Sequence, residues 1–214
     1  MAKNVDVTGK RLISVRPRDW VVWATKIDEI GECEILSGEF QTVSRESDTL
    51  ILVNQSSVGK FIALFELQTK YSAEMPLRMT AYTALAREKY DLPVFPVLIN
   101  IRPTSQTILT RYESTFSGLQ ARQDYVVINL WEIPAQDILS QNLTALIPFT
   151  PAMKGGAEES QLQSAQAKLQ LDENLRQSGK LSEMEFALSL FASAILGRDE
   201  AKRILRWTML DIII

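Results

Sequence analysis

Two acids and an amide lie in a segment whose pattern is that of a β-hairpin, and together they could hold a metal ion and orient a water molecule. In residues 47–68, two runs rich in β-branched and aromatic residues flank a short polar turn. If the turn centres on Ser57, antiparallel pairing sets Glu66 directly opposite Asp48. Gln68 shares their face, because side chains alternate between the two faces of a strand. The sequence therefore predicts three polar groups at one edge of a sheet.

The same register predicts that Leu50 pairs with Leu64 and that Leu52 pairs with Ile62. Both faces of this hairpin are apolar, which is typical of a strand pair that is buried on both sides. Two ionised carboxylates in such a place repel each other and lose hydration, so either one binds a proton or a cation lies between them. Mg²⁺ or Mn²⁺ suits an all-oxygen site of this kind. The prediction depends on the register, since a slip by one residue separates the acids.

The composition limits the chemistry that this chain can perform. It has 214 residues, of which 46% are hydrophobic and 23% are charged, as in an ordinary soluble protein, and its formal net charge is −3. The absence of histidine excludes Ser-His-Asp and Cys-His catalysis and the usual zinc sites. The single cysteine, Cys33, and the lack of a signal-peptide pattern or a membrane-spanning stretch favour the cytoplasm.

The order of predicted elements indicates a mixed α/β fold. After the hairpin, residues 72–90 have the spacing of an amphipathic helix, and residues 93–101 form a nearly continuous β-branched run that is typical of a central strand. A further strand is predicted at 125–130 and a helix at 135–141. These elements predict a core of about four or five strands flanked by helices.

A change of composition predicts a second module. We assign residues 1–150 to the α/β domain, 151–157 to a linker because of their Pro and Gly content, and 158–214 to a small helical C-terminal module. The chain ends in the apolar run Asp211–Ile214. Such an end indicates either a truncated gene product or a terminus buried in a homo-oligomer formed through the helical module.

Arg78 and Tyr82 lie one turn apart on the predicted helix 72–90 and therefore share a face. The spacing alone favours a core tyrosine beside a solvated arginine. The alternative is an arginine directed at the phosphate of a substrate.

Four short motifs, in this order and spacing, resemble those of a nuclease family. They are Arg45-Glu-Ser-Asp48, Phe65-Glu66-Leu-Gln68-Thr, Met75-Pro-Leu-Arg78-Met-Thr-Ala-Tyr82 and Leu92-Pro93-Val-Phe-Pro-Val-Leu-Ile. Over most of residues 8–153 the chain resembles the recombination-promoting nuclease / putative transposase (Rpn) family of the PD-(D/E)XK phosphodiesterase superfamily, in particular its cyanobacterial members.

This resemblance implies a restriction-endonuclease-like sheet and Mg²⁺-dependent (or Mn²⁺-dependent) endonuclease activity on DNA, linked to recombination or mobile elements. Asp48 matches the motif aspartate and Glu66 the second metal-binding acid. Gln68 occupies the position that is lysine in the superfamily pattern. An amide carries no charge and gives up no proton near neutral pH, so the role implied for Gln68 is to orient water.

Four further residues are candidates for DNA contact or for support of the site. Arg78 and Tyr82 match the family segment Met-Pro-x-Arg-Met-x-x-Tyr. Lys70 and Arg45 lie close in sequence to the predicted acids and add positive charge.

Two other functions remain open from the sequence. The first is a catalytically inactive nuclease fold that acts as a DNA-binding or protein-interaction module. The second is a purely structural α/β protein with a helical dimerisation tail, which would require Asp48 and Glu66 to be an accidental pair.

Overall fold

The computed structural model describes residues 2–27, 29–36, 49–141 and 143–205, so Asp48 and Arg45 lie outside the described residues. The chain divides into two compact units. One is Trp20–Asn129, and the other combines Met1–Asp19 with Leu130–Ile214. This division differs from the predicted boundary at 151–157.

A five-stranded mixed sheet forms the centre of the first unit, and its strand order is β1-β2-β3-β4-β7. These strands are β1 (Cys33–Leu36), β2 (Thr49–Val53), β3 (Phe61–Gln68), β4 (Val94–Asn100) and β7 (Val126–Asn129). Strands β1, β2 and β3 pair in antiparallel fashion, whereas β3, β4 and β7 are parallel. The predicted mixed α/β class is confirmed.

The register of the β2–β3 hairpin is the predicted one. Leu50 pairs with Leu64 and Leu52 with Ile62. Most residues of both strands are buried, as their two apolar faces predict. The described part of β2 begins at Thr49, which pairs with Phe65.

Helices cover the two faces of this sheet. On one face, α3 (Met75–Tyr90) contributes Met75, Met79 and Tyr82 to a core that also contains Leu64 and Leu98. Pro76 lies in the first turn of α3, where proline suits a helix start. On the other face, the Trp20 ring of α2 (Pro17–Thr25) meets Phe65 edge-on, with 6.3 Å between the ring centroids. The predicted helix at 72–90 and strand at 93–101 are thus confirmed.

The second unit is helical. It contains α1 (Ala2–Val15), a short 3₁₀ helix Leu130–Glu132, α4 (Ala135–Ser140), a 3₁₀ helix Thr144–Ala152, α5 (Glu159–Leu171), α6 (Glu173–Gln177), α7 (Leu181–Leu196) and α8 (Arg198–Leu205). The C-terminal region is therefore helical as predicted, and residues 206–214 lie outside the described chain.

The first part of the predicted linker 151–157, residues 151–153, belongs to the packed interior of this second unit, whereas Lys154 and Gly155 are exposed. Phe149, just before it, packs against Phe191 of α7 with 4.4 Å between the ring centroids, and Pro151 and Ala152 are buried. The Pro and Gly content predicts a linker, whereas Pro151 lies in a buried 3₁₀ helix and Gly155 and Gly156 lie in the turn that follows.

A two-stranded hairpin, β5 (Arg111–Phe116) and β6 (Leu119–Asp124), extends the first unit and was not predicted. Its turn residues Ser117 and Gly118 have φ values of 49° and 80°, as a two-residue hairpin turn requires.

Among the described residues, no helix is long and apolar enough to cross a membrane.

Candidate functional site

Glu66 is a buried carboxylate on a strand whose other residues are mostly apolar. It lies on β3 with 0% of its surface exposed, and its register partner on β4 is Leu98. Burial of an acid in such surroundings is costly unless polar groups meet the carboxylate. The stability of the buried Glu66 carboxylate therefore depends on the polar groups that contact it.

Two side chains donate hydrogen bonds to the same oxygen of Glu66. Arg78 Nη2 lies 2.5 Å from Glu66 Oε1, and Gln68 Nε2 lies 2.9 Å from it. Gln68 reaches the acid because it follows two residues later on the same face of β3. Arg78 reaches it because α3 begins beyond the carboxyl end of β3 and packs back over that face of the sheet.

Tyr82 supports the arginine from one helical turn further along. Arg78 Nη2 lies 3.3 Å from the Tyr82 hydroxyl oxygen, and the guanidinium carbon lies 5.6 Å from the centre of the ring. Tyr82 is buried in the core, as the spacing predicted. The prediction of a solvated Arg78 was wrong, because its side chain is only 29% exposed and forms an ion pair with Glu66.

An open pocket of about 650 Å³ adjoins this arginine. Its lining consists of Ala73, Glu74, Leu77, Arg78 and Tyr82. Arg78 thus contacts the buried acid and also faces the pocket. A guanidinium in this position can bind an anionic oxygen such as that of a phosphate.

The strand ends next to Gln68 carry two more amides. Gln68 of β3 is the register partner of Asn100 on β4, and Asn100 is the partner of Asn129 on β7. Asn100 Nδ2 donates a 3.0 Å hydrogen bond to Asn129 Oδ1. Neither asparagine is among the site residues predicted from the sequence. The available signal was a single polar residue closing each of two apolar strands, Leu-Ile-Asn100 and Val-Ile-Asn129.

Of the remaining predicted site residues, Lys70, Asp48 and Arg45, the structure describes only Lys70. Lys70 is exposed, just beyond the end of β3. Asp48 and Arg45 lie outside the described residues, so the predicted pairing of Asp48 with Glu66 stays a prediction. Within the described part of the chain, no group of three or more acidic, cysteine or histidine residues is placed to hold a metal ion.

The chain matches none of the protein-family models, curated proteins or solved structures with which it was compared. Any functional assignment therefore depends on the residues of the site and on the motifs that they form.

Proposed function

We propose that this protein is a metal-dependent DNA endonuclease that hydrolyses phosphodiester bonds, with a role in recombination or in mobile elements. The observation that supports this most is the buried carboxylate of Glu66, which is held by Gln68 and Arg78 beside an open pocket. The motif resemblance to the Rpn nucleases assigns Glu66 and Gln68 to the catalytic centre. Ligand sites of α/β proteins commonly lie at the carboxyl ends of parallel strands, where Gln68 lies.

The donors in this region fit a hard divalent cation. Glu66 supplies a carboxylate, and Gln68 supplies an amide oxygen two residues later on the same face of β3. Oxygen donors of this kind are those that Mg²⁺ prefers. In our proposal Asp48 and Glu66 would hold Mg²⁺ or Mn²⁺, which when bound polarises the phosphate and lowers the pKa of water.

The protein's own residues would carry out the other tasks. Gln68 orients a water molecule for attack on phosphorus, and Arg78 binds a non-bridging phosphate oxygen from the pocket side. The water oxygen forms a bond to phosphorus while one bridging P–O bond breaks. The water proton is released to solvent and the leaving oxygen takes up a proton, so one hydroxyl and one phosphate monoester are produced.

A second function, a catalytically inactive nuclease fold that binds DNA or protein, is favoured by one observation. The Arg78 guanidinium forms an ion pair with Glu66 at 2.5 Å, so the acid has a positively charged partner without a metal ion. For a metal ion to be coordinated by the Glu66 carboxylate, Arg78 would have to share the carboxylate with the metal or move into the pocket.

Cleavage of supercoiled plasmid by the purified full chain, with Mg²⁺, with Mn²⁺ and with a chelator, tests the proposal. We expect nicked or linear products with either metal and none with the chelator. The matched variants are Glu66→Gln, which should be inactive, and Glu113→Gln on the exposed β5–β6 hairpin, which should cleave like the wild type.

The two functions give different results in one further measurement. If the wild type leaves plasmid intact but shifts a labelled duplex in a binding assay, the inactive DNA-binding function is correct and the endonuclease is rejected. If the wild type neither cleaves the plasmid nor shifts the duplex, both DNA functions are rejected. Action in the cytoplasm and a homo-oligomer formed through the helical module are further parts of the proposal, and sedimentation of the full chain tests the latter.

A further inference from the structure

Asn100 has a buried polar atom that no contact within the site explains. Its side chain is 0% exposed, and its Nδ2 donates to Asn129 at 3.0 Å. The other side-chain atom, Oδ1, is buried and has no hydrogen-bond partner among the described residues. Because buried polar groups are almost always paired, such an oxygen requires an explanation.

The position of Asn100 relates this oxygen to the proposed catalytic centre. Asn100 and Gln68 are register partners on neighbouring parallel strands, so their side chains share the face on which Glu66 lies. The pairing continues beyond them, since Ile101 N donates to Gln68 O at 2.9 Å and Arg102 N to Thr69 O at 3.1 Å. The two amides are thus held side by side on a rigid backbone.

The chemistry of an amide oxygen limits what the partner of Asn100 Oδ1 can be. An amide oxygen accepts hydrogen bonds and cannot donate one, so a hydrogen-bonding partner must offer an O–H or N–H group. Anionic phosphate oxygens are therefore excluded at this atom, whereas a water molecule is suitable and is small enough for a buried niche.

We propose that Asn100 is a positioning residue that holds the attacking water of the hydrolysis through Oδ1, in a niche that it shares with Gln68. Asn129 fixes the orientation of the Asn100 amide by accepting from Nδ2, which leaves the oxygen directed to the water. This inference rests on the proposed endonuclease function and adds a second residue to the orienting role of Gln68.

The experiment compares steady-state cleavage by the wild type, Asn100→Leu and Thr83→Val. Leucine has the same number of side-chain heavy atoms and the same branching as asparagine, and it removes the acceptor. Thr83→Val is the matched control, because Thr83 is also fully buried and polar but its hydroxyl donates within α3, to Met79 O at 2.7 Å. We expect Asn100→Leu to lower kcat on the order of 10- to 100-fold, with KM and Mg²⁺ affinity close to those of the wild type. The lost hydrogen bond to Asn129 should lower the melting temperature, but by no more than Thr83→Val lowers it.

Several outcomes would overturn the inference. A kcat within about twofold of the wild type, or a loss confined to KM or to Mg²⁺ affinity, would show that Asn100 does not position the water. A fall in melting temperature and kcat that Thr83→Val reproduces would mean a structural role only. An inactive wild type would reject the endonuclease itself, whereas an active wild type with an equally active Asn100→Leu variant would reject this inference alone.

A crystal structure of the wild type provides a measurement that does not depend on the folding of a variant. An ordered water within hydrogen-bond distance of both Asn100 Oδ1 and the Gln68 amide is expected. A protein donor, or no density, at that position would contradict the proposal.

Discussion

Arg78 Nη2 donates a 2.5 Å hydrogen bond to Oε1 of Glu66, a carboxylate that lies twelve residues earlier and is 0% exposed. The sequence suggested two ways to stabilise a buried acid here, a bound proton or a bound cation. The structure shows a third, which is an arginine from the helix that packs over the sheet. Because Arg78 also faces the pocket, one side chain links the acid to the surface where a substrate phosphate would arrive.

The first prediction concerns the stability that this ion pair provides. Arg78→Ala leaves the Glu66 carboxylate buried with less compensation, which we expect to lower the free energy of unfolding by about 3–5 kcal/mol. In the double variant Arg78→Ala, Glu66→Gln the loss should be smaller, because no buried charge remains. Urea denaturation of the four proteins in the cycle measures the coupling.

The matched control for this cycle is Arg122→Ala. Arg122 pairs with Asp124 at 2.9 Å, but both side chains are more than half exposed, so solvent screens the pair and the change in the free energy of unfolding should be much smaller than that of Arg78→Ala. Equal effects of Arg78→Ala and Arg122→Ala would show that the Glu66 carboxylate does not depend on Arg78.

The second prediction is that Asp48→Ala and Glu66→Ala each lower cleavage on the order of 10²- to 10³-fold or more. Each removes a proposed metal ligand but little apolar surface, so the fold should persist. Plasmid cleavage with Mg²⁺, measured beside circular dichroism of the same samples, checks both points. Cleavage at the wild-type rate by either folded variant would remove that acid from the catalytic centre.

The third prediction concerns Gln68, whose amide donates to Glu66 at 2.9 Å. Gln68→Lys adds a positive charge beside the acid, where it competes with a cation for the carboxylate, so Mg²⁺ and Mn²⁺ should bind more weakly. Calorimetric titration measures the affinity, with Gln68→Met as a neutral control of similar length. An unchanged affinity in Gln68→Lys would mean that this side chain does not face a metal site.

The fourth prediction concerns alkaline pH. Burial, with the nearby Tyr71 as a smaller cause, raises the pKa of Tyr125 above its ordinary value of 10.0, and its hydroxyl donates to Leu109 O at 2.8 Å. Below pH 10 the group is neutral in both states. Above it the unfolded chain loses this proton first, so stability falls as pH rises, by at most about 1.4 kcal/mol per pH unit.

Tyr125→Phe isolates that contribution. The variant should be less stable than the wild type by about 1 kcal/mol at pH 8, because it lacks the hydrogen bond to Leu109. The difference should shrink above pH 10, where only the wild type has this proton to lose. Urea denaturation from pH 8 to pH 11 measures it, and a constant difference would contradict the raised pKa.

Local patterns were sufficient for much of the fold. The polar turn centred on Ser57 predicted the β2–β3 register, because the position of the turn in a hairpin fixes which residues face each other. Helical spacing likewise predicted α3, and a β-branched run predicted β4. These features depend on neighbours within one element or one hairpin, so their cause lies in contiguous residues.

The contacts that define the site depend on residues brought together by packing. Nothing in the spacing of Glu66 and Arg78 indicates an ion pair, because the pair forms only when α3 packs over β3 and buries the acid. Asn100 and Asn129 become neighbours only through the parallel pairing of β4 with β7, which a hairpin and a long connection separate in sequence. The sequence therefore determines which chemical groups are present. Their burial, which requires each charge and amide to be paired, is decided by the tertiary fold.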